Sequence, residues 1–122
     1  MEPLPEVSWA IPYRLKERFY ASGLNGQVTV REVIDDKWFL NGRNDLRNYS
    51  ETFEWGRDSA GATQLSLALL ADALDNDARA QLLHQSFKDR VIVGLPERWT
   101  ITRSRIIAHA KMLEARANGL TG

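Results

Sequence analysis

The chain has 122 residues, no cysteine, and 16 basic against 16 acidic side chains. This length suits one hydrophobic core, so we predict a single domain over residues 1–122. Without cysteine there is no disulfide framework, thiolate metal site or cysteine nucleophile, which favours a cytoplasmic location. No apolar run approaches the roughly 20 residues of a membrane span, and residues 1–7 are unlike a signal peptide, so no membrane contact is expected.

The charge is unevenly distributed although it sums to zero. Residues 1–50 hold seven Lys/Arg against seven Asp/Glu, residues 51–96 hold four against seven, and residues 97–122 hold five against two. The three segments are therefore neutral, negative and positive in turn. A neutral domain lacks the broad field of a non-specific nucleic-acid binder, but a local basic patch near the C-terminus is compatible with these numbers.

The first predicted element is a short helix. Residues 11–20 carry apolar side chains at helical spacing behind Pro12, which suits a first helical turn. This helix is expected to end at Gly23. The glycine and asparagine residues within positions 22–26 then predict a turn with positive φ.

Residues 28–34 are compatible with either a strand or a helix. The alternation of β-branched Val28 and Val30 favours a strand. A capping box formed by Thr29 and Glu32 favours a helix, and the helix is slightly preferred.

That preference opens the possibility of a helix-turn-helix. The two short N-terminal helices have about the right lengths, and Arg31 would project from the second one. However, Glu32, Asp35 and Asp36 would face phosphates unless they turn away. A simple packing unit is therefore the more natural interpretation.

A strand and a tight turn are predicted next. Residues 37–40 are rich in aromatic and apolar side chains, and Asn41-Gly42 is typical of a type I′ hairpin turn. We therefore expect a small β-hairpin or sheet near residues 37–55.

Three helices are predicted for the second half of the chain. They run from Gly61 to the break at residues 75–77, from Asp77 to Gly94, and from a cap at Thr102 or Ser104 to Asn118-Gly119. The predicted fold class is α+β and predominantly helical: the small sheet packs on a bundle of the three C-terminal helices, with one or two short N-terminal helices.

The polar and aromatic stretch over residues 45–56 contains two distinctive runs, Leu46-Arg47-Asn48 and Phe53-Glu54-Trp55-Gly56. With Gln64-Leu65 and Trp99-Thr100, they resemble an uncharacterised family of small prokaryotic proteins, a domain of unknown function found in bacteria, haloarchaea and mobile elements. The resemblance covers roughly residues 39–107 as a family-like core. It leaves residues 1–38 as a variable part and residues 108–122 as the end of the last helix and a tail, and it brings no known activity.

The family usually continues after the Phe-Glu-Trp-Gly run with a glycine-rich loop and a proline. Here the corresponding places hold Arg57, Asp58, Ser59, Ala60 and Ala62, and only Gly61 is retained. This departure argues against a function that depends on a phosphate-cradling loop.

The favoured function is a non-enzymatic protein-binding module. Arg47, Tyr49, Trp55 and Arg57 are the candidate partner-binding residues, because large side chains with a polar group dominate interface hot spots. A structural role of the same loop is equally open, with Phe53 and Trp55 anchoring it on the helix that starts at Gly61. Members of the resembled family occur in mobile elements. This occurrence implies a more specific binding function, that of an anti-CRISPR-like phage or mobile-element protein that inhibits a host defence complex.

Two other functions are kept as alternatives. The first is a small DNA-binding regulator that uses the N-terminal helix pair and the basic C-terminal helix; its candidate contacts are Arg31, Arg98, Arg103, Arg105 and Lys111. The second is a small enzyme that uses the carboxylates of residues 45–58. His84 and His109 lack metal-ligand neighbours at helical spacing, so no metal is predicted, and no cofactor motif is present. The sequence does not indicate an oligomeric state.

Overall fold

A computed structural model describes residues 17–32 and 37–117. It has the predicted α+β class, with the helices in the C-terminal part. The strands are β1 (Arg18–Ser22), β2 (Val28–Glu32), β3 (Lys37–Phe39) and β4 (Thr100–Thr102), and the helices are α1 (Ala60–Leu74), α2 (Asp77–Arg90) and α3 (Arg103–Ala117). Two short 3₁₀ turns, Leu24–Gly26 and Ile92–Gly94, complete the described elements.

The four strands form one antiparallel sheet in the order β3-β2-β1-β4. Tyr20 in β1 pairs with Val30 in β2 and with Ile101 in β4, and Val30 pairs with Trp38 in β3. Because paired residues share a face of a sheet, the fully buried Tyr20 and Val30 mark the face that packs on the helices.

The helix preferred for residues 28–34 is wrong over Val28–Glu32, which is strand β2. The period of two decides the outcome, because Val28 and Val30 are buried in the core while Arg31 between Val30 and Glu32 is exposed. The helix expected over residues 11–20 is also wrong from Arg18 onward, where β1 begins. A helix-turn-helix in this region is therefore excluded; residues 1–16 and 33–36 lie outside the described residues.

The turn predicted at Asn41-Gly42 is not a hairpin. β3 pairs with β2, which precedes it, and the chain then runs from Leu40 into a long loop. Positive φ falls on Arg43 instead, whose backbone N–H donates to Asn41 Oδ1 at 2.8 Å. The prediction for residues 22–26 is confirmed, since Asn25 and Gly26 both have positive φ.

Helix α1 is the centre of the core. Residues 61–71 are all buried, as expected for a helix contacted on several sides. The Ser59 hydroxyl accepts the Ala62 N–H at 3.2 Å, and Asp75 ends the helix in the left-handed conformation. Asn76 rather than Asp77 caps α2, and Thr102 Oγ1 accepts the Arg105 N–H at the start of α3.

Candidate functional site

One buried side chain holds the loop that contains the first family-like run. Gln64 of α1 is 1% exposed; its Oε1 accepts the backbone N–H groups of Tyr49 (2.7 Å) and Ser50 (3.2 Å). Its Nε2 donates to the carbonyls of Gly42 (2.7 Å) and Arg47 (3.0 Å). All four hydrogen bonds available to the amide are thus made to loop backbone, and we call this set the Gln64 bridge.

Two of the four predicted partner-binding residues belong to this loop. The Tyr49 hydroxyl lies 2.8 Å from Nε2 of the buried His84, and the two rings are in contact. The exposed Arg47 places its guanidinium over the Tyr49 ring, 5.5 Å from the centroid. Tyr49 therefore has a structural role on α2, and Arg47 is the more accessible of the two.

The Phe-Glu-Trp-Gly run packs against the start of α1. Phe53 and Trp55 are half-buried against the core, as the anchoring interpretation expects. A Cβ added to Gly61 would lie only 2.9 Å from the backbone nitrogen of Glu54, so glycine is required by this close approach. Glu54 faces Arg57 at 3.5 Å, a weak contact on the surface.

The same run is also joined to the segment after α2. Gly56, at φ +82°, donates its N–H to the Ile92 carbonyl at 3.0 Å. The Trp55 indole donates to the carbonyl of Glu97 at 3.1 Å and meets the Trp99 ring edge-on, with 5.6 Å between centroids. The run is therefore a fixed connector between the loop and residues 92–99.

These contacts form one wall of the largest cavity that we describe, which we call the tip cleft. It has a volume of about 750 Å³ and lies between the β1–β2 turn, Trp55 and residues 97–100. Leu24 at the turn is 82% exposed and also lines the cleft. Arg98 also lines the cleft. The buried indole N–H of Trp99 has no hydrogen-bond partner among the described residues.

The structure thus brings together only part of the predicted binding set. Trp55 lines the tip cleft, and Arg57 joins it around a smaller neighbouring cavity. Arg47 and Tyr49 lie instead at the Gln64 bridge and α2. Sequence reasoning did not single out Leu24, and the available signal was an apolar side chain placed within a turn of glycine and asparagine.

The loop carboxylates have separate surroundings. Asp45 pairs with Arg43 at 3.0 Å, which lowers the pKa of Asp45, and Asp58 accepts from Lys88 at 2.7 Å. Glu51 and Glu54 line different cavities. Asp45, Glu51, Glu54 and Asp58 therefore do not line one common cavity among those described.

The predicted nucleic-acid contacts are dispersed as well. Arg98 is exposed in the segment before β4, and Arg105 and Lys111 are exposed on α3. Arg103 instead donates to the Ala73 carbonyl at 3.0 Å and so caps the C-terminus of α1. Arg31 lies on the open face of the sheet, with its guanidinium 5.8 Å from the centroid of Phe19.

A second polar cluster joins the sheet to α1. Asp72 accepts hydrogen bonds from Arg18 (2.8 Å) and from the buried Tyr20 hydroxyl, and Arg18 also binds Glu32 at 2.8 Å. Burial and the neighbouring carboxylate raise the pKa of Tyr20. The cluster borders a cavity of about 240 Å³. Its cation, Arg18, is already paired with Asp72 and Glu32, so the cluster acts as a structural link.

Neither a metal site nor a membrane-spanning element is found in the described part of the chain. Across residues 17–32 and 37–117, no three His, Asp or Glu side chains are grouped as a metal ion would require. Within the same residues, no helix has the length and apolar character needed to cross a membrane.

The fold and the site define a small α+β domain in which a helix-backed antiparallel sheet and a buried-glutamine loop frame an aromatic cleft. The chain belongs to a family of unknown function, DUF6166, whose model matches residues 21–112. The match is wider than the 39–107 range of the resemblance and includes β2 and the last two residues of β1. No curated protein and no solved structure matches the chain.

Proposed function

We propose that this protein is a non-enzymatic binding module that contacts another protein through the tip cleft. The observation that carries the proposal is the exposed Leu24 beside the Trp55 and Trp99 pair. Tryptophan and arginine are enriched among interface hot spots, and the apolar contacts around them exclude water. Arg98 supplies that charged rim residue.

The cleft suits a partner's side chain better than a small substrate. It is open and lies at the end of the sheet, whereas ligand sites usually enclose most of their ligand and hold a few convergent polar groups. These features support insertion of an apolar anchor from a protein surface.

The finer form of the proposal is an inhibitor of a host defence complex, such as an anti-CRISPR protein. Its only support is the occurrence in mobile elements that the family resemblance implies. A small neutral domain is compatible with such a role, because steric blocking of a complex needs only a surface of suitable shape. Genes of a phage or defence locus beside this one would support it.

The cleft can be tested with two exposed leucines. Leu24→Asp places a charge in the cleft, and Leu82→Asp places one on the exposed side of α2; both leucines are 82% exposed in the wild-type protein. Full-length tagged variants would be used to capture proteins from the native host. We expect a specific partner to be retained by wild type and Leu82→Asp and lost with Leu24→Asp.

Two further variants locate the contact. Arg57→Ala and Arg98→Ala should weaken capture, whereas Arg105→Ala on α3 should not. If wild type retains no protein above the tag control, or if Leu24→Asp captures as well as Leu82→Asp, the cleft is not the binding site. Circular dichroism of each variant verifies that the fold is intact.

A further inference from the structure

The open face of the sheet has an unusual composition. Strand alternation and the observed pairing place eight described residues on it, in two rows across the four strands. One row is Lys37, Arg31, Phe19 and Thr102, and the other is Phe39, Thr29, Ala21 and Thr100. This set contains two cations, two aromatic rings and no carboxylate.

Burial supports this assignment. Tyr20, Val28 and Val30, at the alternating positions, are all at most 1% exposed, whereas Phe39 is 60% exposed and Arg31 is exposed. The Tyr20 hydroxyl binds Asp72 of α1, which fixes the helix-covered side of the sheet. Among the described elements, the helices therefore leave the other face uncovered.

Two cation–π contacts lie on opposite sides of the sheet. Arg18 lies over the Trp38 ring at 5.1 Å on the helix side, where it also binds Asp72. Arg31 lies 5.8 Å from the Phe19 centroid on the open side. Arg18 has two carboxylate partners, so its charge is used within the fold; the Arg31 guanidinium faces outward on an exposed strand position.

We propose that this open face binds single-stranded nucleic acid. Aromatic side chains on an open sheet provide stacking surfaces for unpaired bases, and neighbouring Arg and Lys residues contact the phosphates. From a strand separation of about 4.8 Å and a rise of about 3.4 Å per residue, Phe19 and Phe39 are roughly 12 Å apart. One base can therefore stack on Phe39 and another on the Arg31–Phe19 pair.

A duplex fits this surface poorly. Its bases are stacked on one another and unavailable to Phe39, and the described face offers only Arg31 and Lys37 as cations, too few for strong binding by charge alone. Protein interfaces are depleted of lysine, whereas Lys37 lies in the same row as Arg31 and Phe19. The absence of carboxylates among the eight residues favours an anionic strand.

The test is fluorescence anisotropy with labelled 15-nucleotide oligo-dT and oligo-rU, and with a duplex of equal length, from 25 to 200 mM NaCl. We expect wild type to bind the single strands more tightly than the duplex, with affinity that falls as salt rises. Phe39→Ala should weaken binding by roughly 5-fold to 100-fold, as removal of a stacking ring does. Arg31→Ala and Lys37→Ala should each reduce the log–log salt slope by about 0.7.

Matched controls are available on the helices. Leu82→Ala removes an exposed apolar side chain, 82% exposed against 60% for Phe39, and Arg90→Ala removes an exposed cation; neither should change binding. Oligo-dT and oligo-rU are both expected to bind, and any preference between them identifies the natural strand. The proposal is overturned if wild type binds no single strand at 25 mM NaCl, if the duplex binds as tightly, or if Phe39→Ala behaves like Leu82→Ala.

Discussion

Replacement of Gln64 by leucine removes the Gln64 bridge while nearly preserving side-chain volume. The substitution leaves two loop N–H groups and two loop carbonyls without their partners. Buried or half-buried backbone groups that lose a partner are costly, because water cannot fully replace it. The perturbation therefore falls on the loop that carries the family-like run.

The expected cost follows from the number of bonds. Four hydrogen bonds at about 0.5–1.5 kcal/mol each contribute about 2–6 kcal/mol. The leucine recovers roughly 1–2 kcal/mol through its apolar surface. The free energy of unfolding should therefore fall by about 1–4 kcal/mol, a substantial part of the 5–15 kcal/mol typical of a domain.

Urea unfolding followed by the fluorescence of the four tryptophans measures this change. Gln85→Leu, on the exposed side of α2, is the matched control and should shift the free energy by less than about 0.5 kcal/mol. Amide hydrogen exchange should also accelerate at Tyr49 and Ser50. A loss below 1 kcal/mol for Gln64→Leu, or equal losses in both variants, would refute the role given to the bridge.

Gln64→Glu adds a dependence on pH. An ionised carboxylate can accept from Tyr49 and Ser50 but cannot donate to the two carbonyls, so burial should raise the pKa of the introduced acid in the folded state. The variant is then most stable below the pKa that the introduced acid has in the unfolded chain. This stability is lost as the pH rises through the higher pKa of the acid in the folded state. We expect the deficit of this variant to shrink between pH 7 and pH 4.

Two further predictions concern packing and titration. Gly61→Ala should lower the free energy of unfolding by about 1–3 kcal/mol, because the added methyl group meets the backbone of Glu54. Gly94→Ala is the control and should be neutral or stabilising, because the space around Gly94 is open. Thermal melts compare the two variants, and equal melting temperatures would contradict the close approach at Gly61. Burial and neighbouring arginines lower the pKa of His109, which packs edge-on against Phe87, so stability should fall as pH drops from 7 towards 5. His109→Gln should remove that part of the pH dependence in urea titrations, and an unchanged slope would refute it.

The helices of the second half were predictable because their signals are local. The apolar run around Leu67, the break at residues 75–77 and the cap at Thr102 each act within a turn of helix, and all three are confirmed to within a residue or two. Such signals do not depend on distant parts of the chain.

The sheet was predicted only in part because strands depend on distant partners. β1 pairs with β4, about 80 residues away in the sequence. Val28 and Val30 carried both a strand and a helix signal, and their burial against the core decided between them. The strand character of Arg18–Ser22 was hidden by apolar residues that also fit a helical spacing.

The candidate site divides in the same way. The sequence by itself determined the α+β class, the central buried helix and the family-like runs within residues 45–56. Composition, periodicity and capping are properties of neighbouring residues, so they can be read without the tertiary structure. Only the tertiary structure decided that Gln64 holds the loop, that Trp55 meets Trp99 beside Leu24, and that Phe39 and Arg31 share an open face. Those contacts join residues that are remote in the chain, and their geometry exists only after the core has brought the strands and helices together.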